Sequence, residues 1–383
     1  MFDFLSDKTI SLMLRLSAEN RSVSKEDLAS VDMRKLYDIC FEHELHGVVA
    51  SHIIEDDLAT LPDYWRSSYE KERERLEFLK RKSQEMCSAM REAGITMVIL
   101  KNGGIMTDIV PDAAACPMED IDSLVKKNDF FKAHDILISN GFIFKFRSEF
   151  EREILDEAYR DGSSEYYIIM PDGEKMWFEL SWRAVAGRWI RPDKEPLTDE
   201  LVARSYFSEG TDVGILSPED NLLQVCIHTA KHSYVRSPGL RLHLDVDRIV
   251  SNKEIDWAAF VKRVKETRVK TSVYYSLMIP KQLFGTDVPS GVLEALKPSP
   301  RRARIIEKLL SGAGLLHPNE RKFSKLEFLR FQVSLYDAPK DALRVIYPSY
   351  AWYKERYGMK CPLQLPYYVV LRVLDLVGIR KKK

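Results

Sequence analysis

The sequence is poor in the patterns that mark secreted, membrane-spanning or nucleic-acid-coating proteins. It has five cysteines in 383 residues, widely separated and never in a CxxC pair. This usage argues against a disulfide scaffold or a cysteine-based zinc site and favours a reducing cytoplasm. No apolar run approaches the roughly 18 residues that a membrane span needs. The 58 basic and 58 acidic side chains cancel, so we expect no broad nucleic-acid surface.

What remains is the composition of a folded globular protein. Hydrophobic residues make up 45% of the chain and charged residues 30%, which excludes wholesale disorder. The length suggests two or three domains. The first residues, MFDFLSDKTISLMLRLS, lack the basic and apolar blocks of a signal peptide. We therefore expect a cytoplasmic protein.

The chain divides into three regions by pattern. We predict a helical region at 1–93, an α+β core at 94–215 and a second helical region at 216–383. Gly94 follows a long stretch with apolar residues at helical spacing and is well placed to end a helix. Ser217 precedes a proline, the pair of residues expected at the start of the next helix.

The core region has the pattern of a small mixed sheet with helices. A β-branched segment at 95–100 predicts a buried strand, broken by Asn102-Gly103-Gly104 and followed by a short helix at 105–110. Acidic and apolar residues alternate at 119–125, as in a strand with one carboxylate face. A β-hairpin is predicted at 166–182. This mixture of elements predicts an α+β fold.

Three carboxylates in this core are the best candidates for chemistry. Residues two apart in a strand face the same side, so Asp120 and Asp122 project together while Ile121 points into the core. Paired carboxylates suit Mg²⁺, which commonly binds one or two of them together with substrate phosphates. Glu179 lies in the second strand of the predicted hairpin. It adds a third acid, which could complete a two-metal site for attack on a nucleotide phosphate.

Gly103 and Gly104 are candidates for a phosphate-binding element. A strand that ends in Gly-Gly before a helix leaves backbone N–H groups free to hold a phosphate. Taken alone, an Asp-x-Asp pair is often a solvated strand edge and Gly-Gly is often a turn, so these structural interpretations stay open. The order of strand, Gly-Gly, helix, Asp-x-Asp strand and acidic strand favours the catalytic interpretation.

As an ordered set, these residues resemble the minimal nucleotidyltransferases of the polymerase-β-like superfamily. More closely, they resemble an uncharacterised family often encoded in bacterial polysaccharide-biosynthesis loci. That family's pattern runs Leu-Lys-Gly, a short helix, a turn, an Arg, then Asp-Ile-Asp-Leu-Leu-Val. The resemblance spans about 40–285, and its matching segments are Leu100-Lys101-Asn102, Pro111-Asp112, Asp120 to Val125, Glu179 to Trp182, Leu216 to Glu219, His228 to His232 and Leu244-Asp245.

The resemblance implies a fold, an activity and roles for residues. The fold would be a polymerase-β-like nucleotidyltransferase core flanked by helical regions. The reaction would move a nucleoside monophosphate from NTP to an acceptor hydroxyl or phosphate and release pyrophosphate. Asp120, Asp122 and Glu179 would bind Mg²⁺ or Mn²⁺, and Glu179 would help to deprotonate the acceptor. Lys101 and the glycine pair would cradle the phosphates.

The acceptor implied by the resemblance is a sugar, a lipid-linked glycan or a protein, and the setting is cell-surface polysaccharide biosynthesis. The sequence departs from the family pattern at four positions, with Asn102 for Gly, Cys116 for Arg, Glu179 for Asp and Ser181 for His. These departures keep a rival hypothesis open, a non-catalytic nucleotide-binding or regulatory protein. A second rival keeps the chemistry but nucleotidylates a protein side chain, as in adenylylation.

Two further features have open interpretations. In the resemblance, His228, His232 and Asp245 face the core and would line the acceptor side. A zinc site is an alternative, because the histidines are four apart on a predicted helix, and a purely structural role is another. The tail at 363–383 mixes apolar and basic residues. It predicts either a docked C-terminal helix or a weak contact with the anionic inner face of a membrane.

Overall fold

A single mixed β-sheet lies at the centre of the fold. The computed structural model describes residues 7–148, 151–184 and 194–377. In the described chain the sheet has seven strands in the order β3-β4-β5-β2-β1-β7-β6. The strands are β1 (Val98–Ile99), β2 (Asp120–Leu124), β3 (Ile143–Phe144), β4 (Ser163–Ile169), β5 (Lys175–Ser181), β6 (Tyr206–Phe207) and β7 (Gly214–Ile215).

Helices precede, interrupt and follow these strands. The N-terminal helices are α1 (Lys8–Ser17), α2 (Lys25–Ala29), α3 (Met33–Glu42), α4 (His46–Glu55) and α5 (Asp63–Glu92). Helices α6 (Lys101–Asp108), α7 (Phe130–Ser139), α8 (Leu155–Asp161) and α9 (Thr198–Arg204) lie between strands. The C-terminal helices are α10 (Pro218–Lys231), α11 (Arg241–Asn252), α12 (Trp257–Thr267), α13 (Lys270–Phe284), α14 (Ser290–Leu296), α15 (Pro300–Ala313), α16 (Lys325–Leu335), α17 (Pro339–Ile346), α18 (Tyr350–Tyr357) and α19 (Leu365–Val377).

The predicted α+β fold is confirmed, and the strand parity is the predicted one. Ile121 and Ser123 of β2 are fully buried on one face, whereas Asp120 and Asp122 are partly buried on the other face. Strand β2 pairs in parallel with β5 and antiparallel with β1. The two strands that carry the candidate carboxylates are therefore neighbours at the centre of the sheet.

Local sequence signals set the helix ends where they were expected. Gly94 follows α5 with a φ of +77°, a left-handed conformation that suits glycine. The side chain of Ser217 accepts a hydrogen bond from the amide of Asp220 and caps α10, with Pro218 in the first helical position. These caps fix where the flanking helices meet the sheet.

Helix α6 begins earlier than the sequence pattern predicted. Its first residue is Lys101, so Gly103 and Gly104 lie inside the first turn instead of forming a break before a helix at 105–110. The glycines let the helix approach β1: a Cβ on Gly104 would lie 2.8 Å from the carbonyl oxygen of Ile99. The lack of a side chain at this position therefore serves close helix–strand packing.

Two hydrophobic clusters join the three predicted regions. One cluster packs α5 and the C-terminal helices against the sheet, with Leu79, Phe178 and Phe260 among its members. The other contains Leu14 of α1 and Phe331 of α16, so the N-terminal and C-terminal helical regions share a core. None of the helices in the described chain has the length and apolar character needed to cross a membrane.

Candidate functional site

The central strands place two of the predicted carboxylates side by side. Asp122 of β2 lies directly opposite Glu179 of β5 in the parallel register. Asp120 precedes Asp122 by two residues on the same face of β2, opposite Trp177. The side chain of Asp122 is 12% exposed, so its charge is largely withdrawn from water. Asp120, Asp122 and Glu179 therefore lie on two adjacent, paired strands, β2 and β5.

Each aspartate of this trio is paired with a cation from another element. The Nζ of Lys101 donates to Oδ1 of Asp122 at 2.6 Å from the first turn of α6. Lys101 has a φ of +52°, an uncommon backbone conformation for a lysine. The guanidinium of Arg147 donates to Oδ2 of Asp120 at 2.5 Å and also pairs with Glu165. The two cations offset negative charge that the strands bring together.

Sequence reasoning did not find Arg147. It follows β3, and its amide donates to Oε2 of Glu165 at 2.6 Å on β4. With its backbone held there, the Arg147 side chain reaches Asp120 on β2, although Arg147 and Asp120 are 27 positions apart in the sequence. No spacing rule gives such a pair, because it depends on the order of β3, β4, β5 and β2 in the sheet.

Burial and like charge perturb the pKa values of the facing acids. Burial raises the pKa of Asp122, and the Lys101 ammonium works against that shift. Burial, followed by the charge of Asp122, raises the pKa of Glu179 to about 6. Burial alone would lower the pKa of Lys101, but Asp122 and Glu179 outweigh it and the pKa is raised. The site is therefore crowded with negative charge that a further cation would relieve.

Helix α10 forms the opposite wall of a narrow cleft above these groups. Gln224, His228 and Lys231 line it from α10, facing Asp122 and Glu179. These residues recur at helical spacing, so one face of α10 is directed at the carboxylates. The cavity has a volume of about 80 Å³, well below the roughly 300 Å³ at which ligand pockets usually begin. It would hold part of a nucleotide and not the whole.

The structure brings only one of the three predicted acceptor-side residues into the cleft. His228 lines it, and burial lowers its pKa well below the usual value. The His232 ring lies 4.9 Å from that of His228, centroid to centroid, and its Nδ1 lies 2.6 Å from the Ser237 carbonyl oxygen. Asp245 is 2% exposed and lies away from the cleft, in the field of Arg241 and Arg248.

The two glycines differ in what their backbones do. Gly104 donates its amide to the carbonyl oxygen of Leu100 at 3.4 Å. Gly103 is the third residue of α6, a position whose amide has no partner within a helix. A Cβ on Gly103 would lie 2.6 Å from the Ile99 side chain. Close packing thus accounts for both glycines, and their role in binding a phosphate remains a prediction.

Carboxylate chemistry at this site fits a divalent metal held jointly with a substrate. In the part of the chain that the structure describes, no three or more His, Cys, Asp or Glu residues are grouped to hold a metal by themselves. Mg²⁺ commonly binds one or two carboxylates and completes its shell with phosphates and water. Asp120 and Asp122 on one strand face satisfy that smaller requirement, and burial, which raises the pKa of Asp122, makes a bound cation favourable for its charged form.

Comparison with known proteins identifies the family. The family described as "uncharacterised nucleotidyltransferase" matches residues 29–285, about two thirds of the chain. The match covers the sheet, the carboxylates and α10. No curated protein matches the chain. The protein belongs to this uncharacterised nucleotidyltransferase family.

Proposed function

We propose that this protein is a Mg²⁺-dependent nucleotidyltransferase that transfers a nucleoside monophosphate from NTP to an acceptor and releases pyrophosphate. One observation carries the proposal: Asp122 lies directly opposite Glu179, with Asp120 on the same strand face. Membership of the nucleotidyltransferase family supports the same chemistry. Mn²⁺ would serve in place of Mg²⁺, because both accept carboxylate and phosphate oxygens.

In the proposed mechanism, Asp120 and Asp122 would hold the divalent ion, and Glu179 would be a further ligand. The ion supplies charge neutralisation on the phosphates. The acceptor oxygen attacks the α-phosphorus, and the bond from that phosphorus to the oxygen bridging to the β-phosphate breaks. Glu179 takes the acceptor proton. In the metal-free protein its pKa is about 6, so it is ionised at neutral pH and able to take a cation or a proton.

Cations at the cleft would stabilise the triphosphate. Lys101 would exchange its Asp122 partner for a phosphate, since a metal takes over the neutralisation of that carboxylate. Lys231 and the amide of Gly103 would bind further phosphate oxygens. Because the cleft has only about 80 Å³, these side chains must move as the nucleotide binds.

The setting of the reaction is the finer part of the proposal. We assign the acceptor to cell-surface polysaccharide biosynthesis in the cytoplasm, as a sugar or a lipid-linked glycan. The outer face of α19 supports a weak peripheral contact with the membrane. Tyr367 and Val370 of α19 are 62% and 58% exposed at a spacing that places them on one side, and Leu363 in the 3-10 turn before α19 is 91% exposed. The basic residues Arg380, Lys381, Lys382 and Lys383 lie outside the described residues, and their charge suits an anionic surface.

Pyrophosphate release tests the reaction. Wild type would be incubated with each NTP, Mg²⁺ or Mn²⁺ and an acceptor pool from a cell extract, beside Asp120→Asn/Asp122→Asn. Glu119→Gln is the matched control, because Glu119 is adjacent in sequence but exposed. We expect release from wild type and the control, and at least a roughly 100-fold loss in the double variant.

The other outcomes separate the rivals. Nucleotide binding without release in any protein would favour a non-catalytic nucleotide-binding role. Labelled nucleotide on a protein side chain would favour protein nucleotidylation. Release that survives in the double variant, or an absence of both release and nucleotide binding, would contradict the site.

A further inference from the structure

A second cleft lies near the first, between the loop after α10 and the segment before α16. Four cations line it, Arg236, Arg321, Lys322 and Lys325, against one carboxylate, Glu320. We call it the basic cleft. The whole chain has no net charge, so this excess of positive side chains is a local feature of the fold. Its volume is about 520 Å³, within the usual range for a small-molecule site.

The guanidinium groups of the two arginines in the basic cleft are not neutralised by a carboxylate in the described chain. In the described chain, neither Arg236 nor Arg321 forms an ion pair with a carboxylate, in contrast to Arg147 and Arg248. Arg236 lies 5.9 Å from the centroid of the Phe328 ring. Arg321 uses its Nε to donate to the Phe323 carbonyl oxygen at 3.1 Å, which leaves its terminal nitrogens for a ligand. Guanidinium groups of this kind bind phosphate oxygens in a bidentate manner.

Lys322 has a different role. Its Nζ donates to the carbonyl oxygens of Ala313 and Leu316, so the ammonium is held at a fixed place in the cleft wall. Burial lowers its pKa. This lysine therefore shapes the site and adds a positive field, while the arginines make the direct contacts.

The walls of the basic cleft are tied together. The amide of Ser237 donates to the carbonyl oxygen of Pro318 at 3.0 Å, which joins the loop after α10 to the facing segment. Gly239 lies close behind this contact. A Cβ on it would be 2.5 Å from Nδ1 of His43 and 3.0 Å from Pro318. The cleft is therefore built on close backbone packing, which orients Arg236 before any ligand arrives.

A short path connects the basic cleft to the candidate active site. Lys231 lines the cleft at the carboxylates and Arg236 lines the basic cleft, and these two residues are five positions apart, at most about 18 Å of extended chain. His232 lies between the two clefts. Its backbone oxygen accepts from the amide of Arg236 at 3.2 Å, and its ring lies beside that of His228. One elongated molecule could reach both clefts.

We propose that the basic cleft binds a phosphate group on the acceptor of the nucleotidyl transfer. This inference rests on the proposed function, and it names the acceptor class as a phosphate ester. The phosphate would bind Arg236 and Arg321, while the reacting oxygen of the same molecule extends past His232 to Glu179. A sugar phosphate and a lipid-linked phosphate share this chemistry.

Binding measured without turnover tests the proposal. Calorimetry on the full chain would use glucose 1-phosphate, and vesicle sedimentation would use phosphatidic acid in phosphatidylcholine. Each would be run on wild type, on Arg236→Gln/Arg321→Gln, and on Arg66→Gln/Lys71→Gln, which removes two exposed cations of α5. We expect the basic-cleft variant to lose at least about tenfold in affinity for one of the two probes and the α5 variant to bind as wild type does.

The Asp120→Asn/Asp122→Asn variant separates this inference from the proposed function. It should bind the probe as wild type does, even where pyrophosphate release is lost or never seen. Preference for glucose 1-phosphate would identify a free sugar phosphate, and preference for the vesicles a lipid-linked one. The proposal would be overturned if the basic-cleft variant and the α5 variant lost affinity for the probe equally. It would also be overturned if neither probe bound to wild type. Circular dichroism of each variant checks that it folds.

Discussion

The ionised carboxylate of Glu179 destabilises the folded state. Its pKa rises from an ordinary 4.5 to about 6, with burial as the main cause and Asp122 as the second. An acid whose pKa is raised on folding destabilises the protein above that pKa, and the penalty disappears as the pH falls through it. A shift of this size corresponds to about 2 kcal/mol at neutral pH. A charge kept in place at such a cost is typical of a functional site.

Glu179→Gln should therefore stabilise the metal-free protein while it impairs the reaction. At pH 8 we expect the free energy of unfolding to rise by about 1–2 kcal/mol, because a neutral amide costs less to bury than a carboxylate and is not repelled by Asp122. Near pH 4 the gain should vanish, since the wild-type acid is then neutral. Urea titrations in EDTA at both pH values measure this, with exposed Glu119→Gln as the control. A loss of stability at pH 8 would contradict the electrostatic account.

Arg147 illustrates what a single residue adds to a motif. The family pattern expects an arginine where this chain has Cys116, which is buried and in contact with Arg248 at 3.5 Å. The structure supplies a guanidinium to the Asp-x-Asp pair from another direction, through Arg147 and Asp120. A departure in sequence at one position is thus accompanied by a cation that the strand order provides.

At the scale of elements, the contact between α6 and β1 positions Lys101. Gly104→Ala would place a Cβ 2.8 Å from the backbone oxygen of Ile99, which cannot move away without disturbing the strand. We expect a loss of about 2–3 kcal/mol in the free energy of unfolding, even though alanine is the better helix former by about 1 kcal/mol.

Gly312→Ala is the matched control for this change. Gly312 also lies in a helix, α15, and a Cβ there would meet nothing within 4 Å. Its substitution should raise the free energy of unfolding by about 0.5–1 kcal/mol. Chemical denaturation of both variants gives the comparison. Similar effects at the two glycines would show that close packing is not what requires Gly104.

Helix α19 and the turn before it have exposed apolar side chains that suit a membrane surface. Leu363→Gln/Tyr367→Gln/Val370→Gln should reduce sedimentation with phosphatidylglycerol vesicles at least about tenfold, because it removes apolar area from the contact. The control changes three exposed isoleucines elsewhere, Ile54, Ile138 and Ile169, to Gln. Unchanged vesicle binding, or a change in oligomeric state instead, would assign the face to a protein partner.

At the scale of the whole molecule, buried histidines tie stability to pH. Burial is the main cause that lowers the pKa of His43 to about 3 and those of His232 and His243 to about 4. Unfolding exposes them to water, where their pKa is near 6.5. The unfolded state then binds more protons between pH 6.5 and 4, so stability must fall as the pH falls through that window.

His232→Gln should make this dependence less steep. Near pH 5 the unfolded chain holds almost one more proton on this residue than the folded chain, which contributes about 1 kcal/mol per pH unit to the slope. We expect the variant to lose that share of the slope while its stability at pH 8 changes less. Free energies of unfolding from urea titrations at half-unit steps between pH 8 and 4.5 measure it. A slope identical to that of wild type would mean that His232 takes up its proton in the folded state.

The three predicted regions are not packed as separate bodies. Val49 of α4 and Tyr275 of α13 belong to one hydrophobic cluster, although more than 200 positions separate them. The sheet cluster likewise includes residues of α5 and α12. Patterns along the chain locate changes of secondary structure, and they carry no information on which amphipathic faces will meet. The boundaries at 93 and 215 describe element types and remain a prediction as domain limits.

Local patterns in the sequence determined the strand faces and the helix ends of this protein. Alternation fixed which face of β2 carries Asp120 and Asp122, and the capping residues Ser217 and Gly94 fixed helix ends. These features depend on a few neighbouring residues, so they can be inferred without a fold.

Only the tertiary structure decided which charges meet. In the folded chain Glu179 lies opposite Asp122, and Arg147 contacts Asp120. One face of α10 lines the cleft at the carboxylates, whereas Asp245 is buried outside that cleft. These contacts depend on strand order and on the burial of helix faces far apart in the chain. They arise because the hydrophobic clusters minimise apolar exposure for the whole chain at once, which no local pattern encodes.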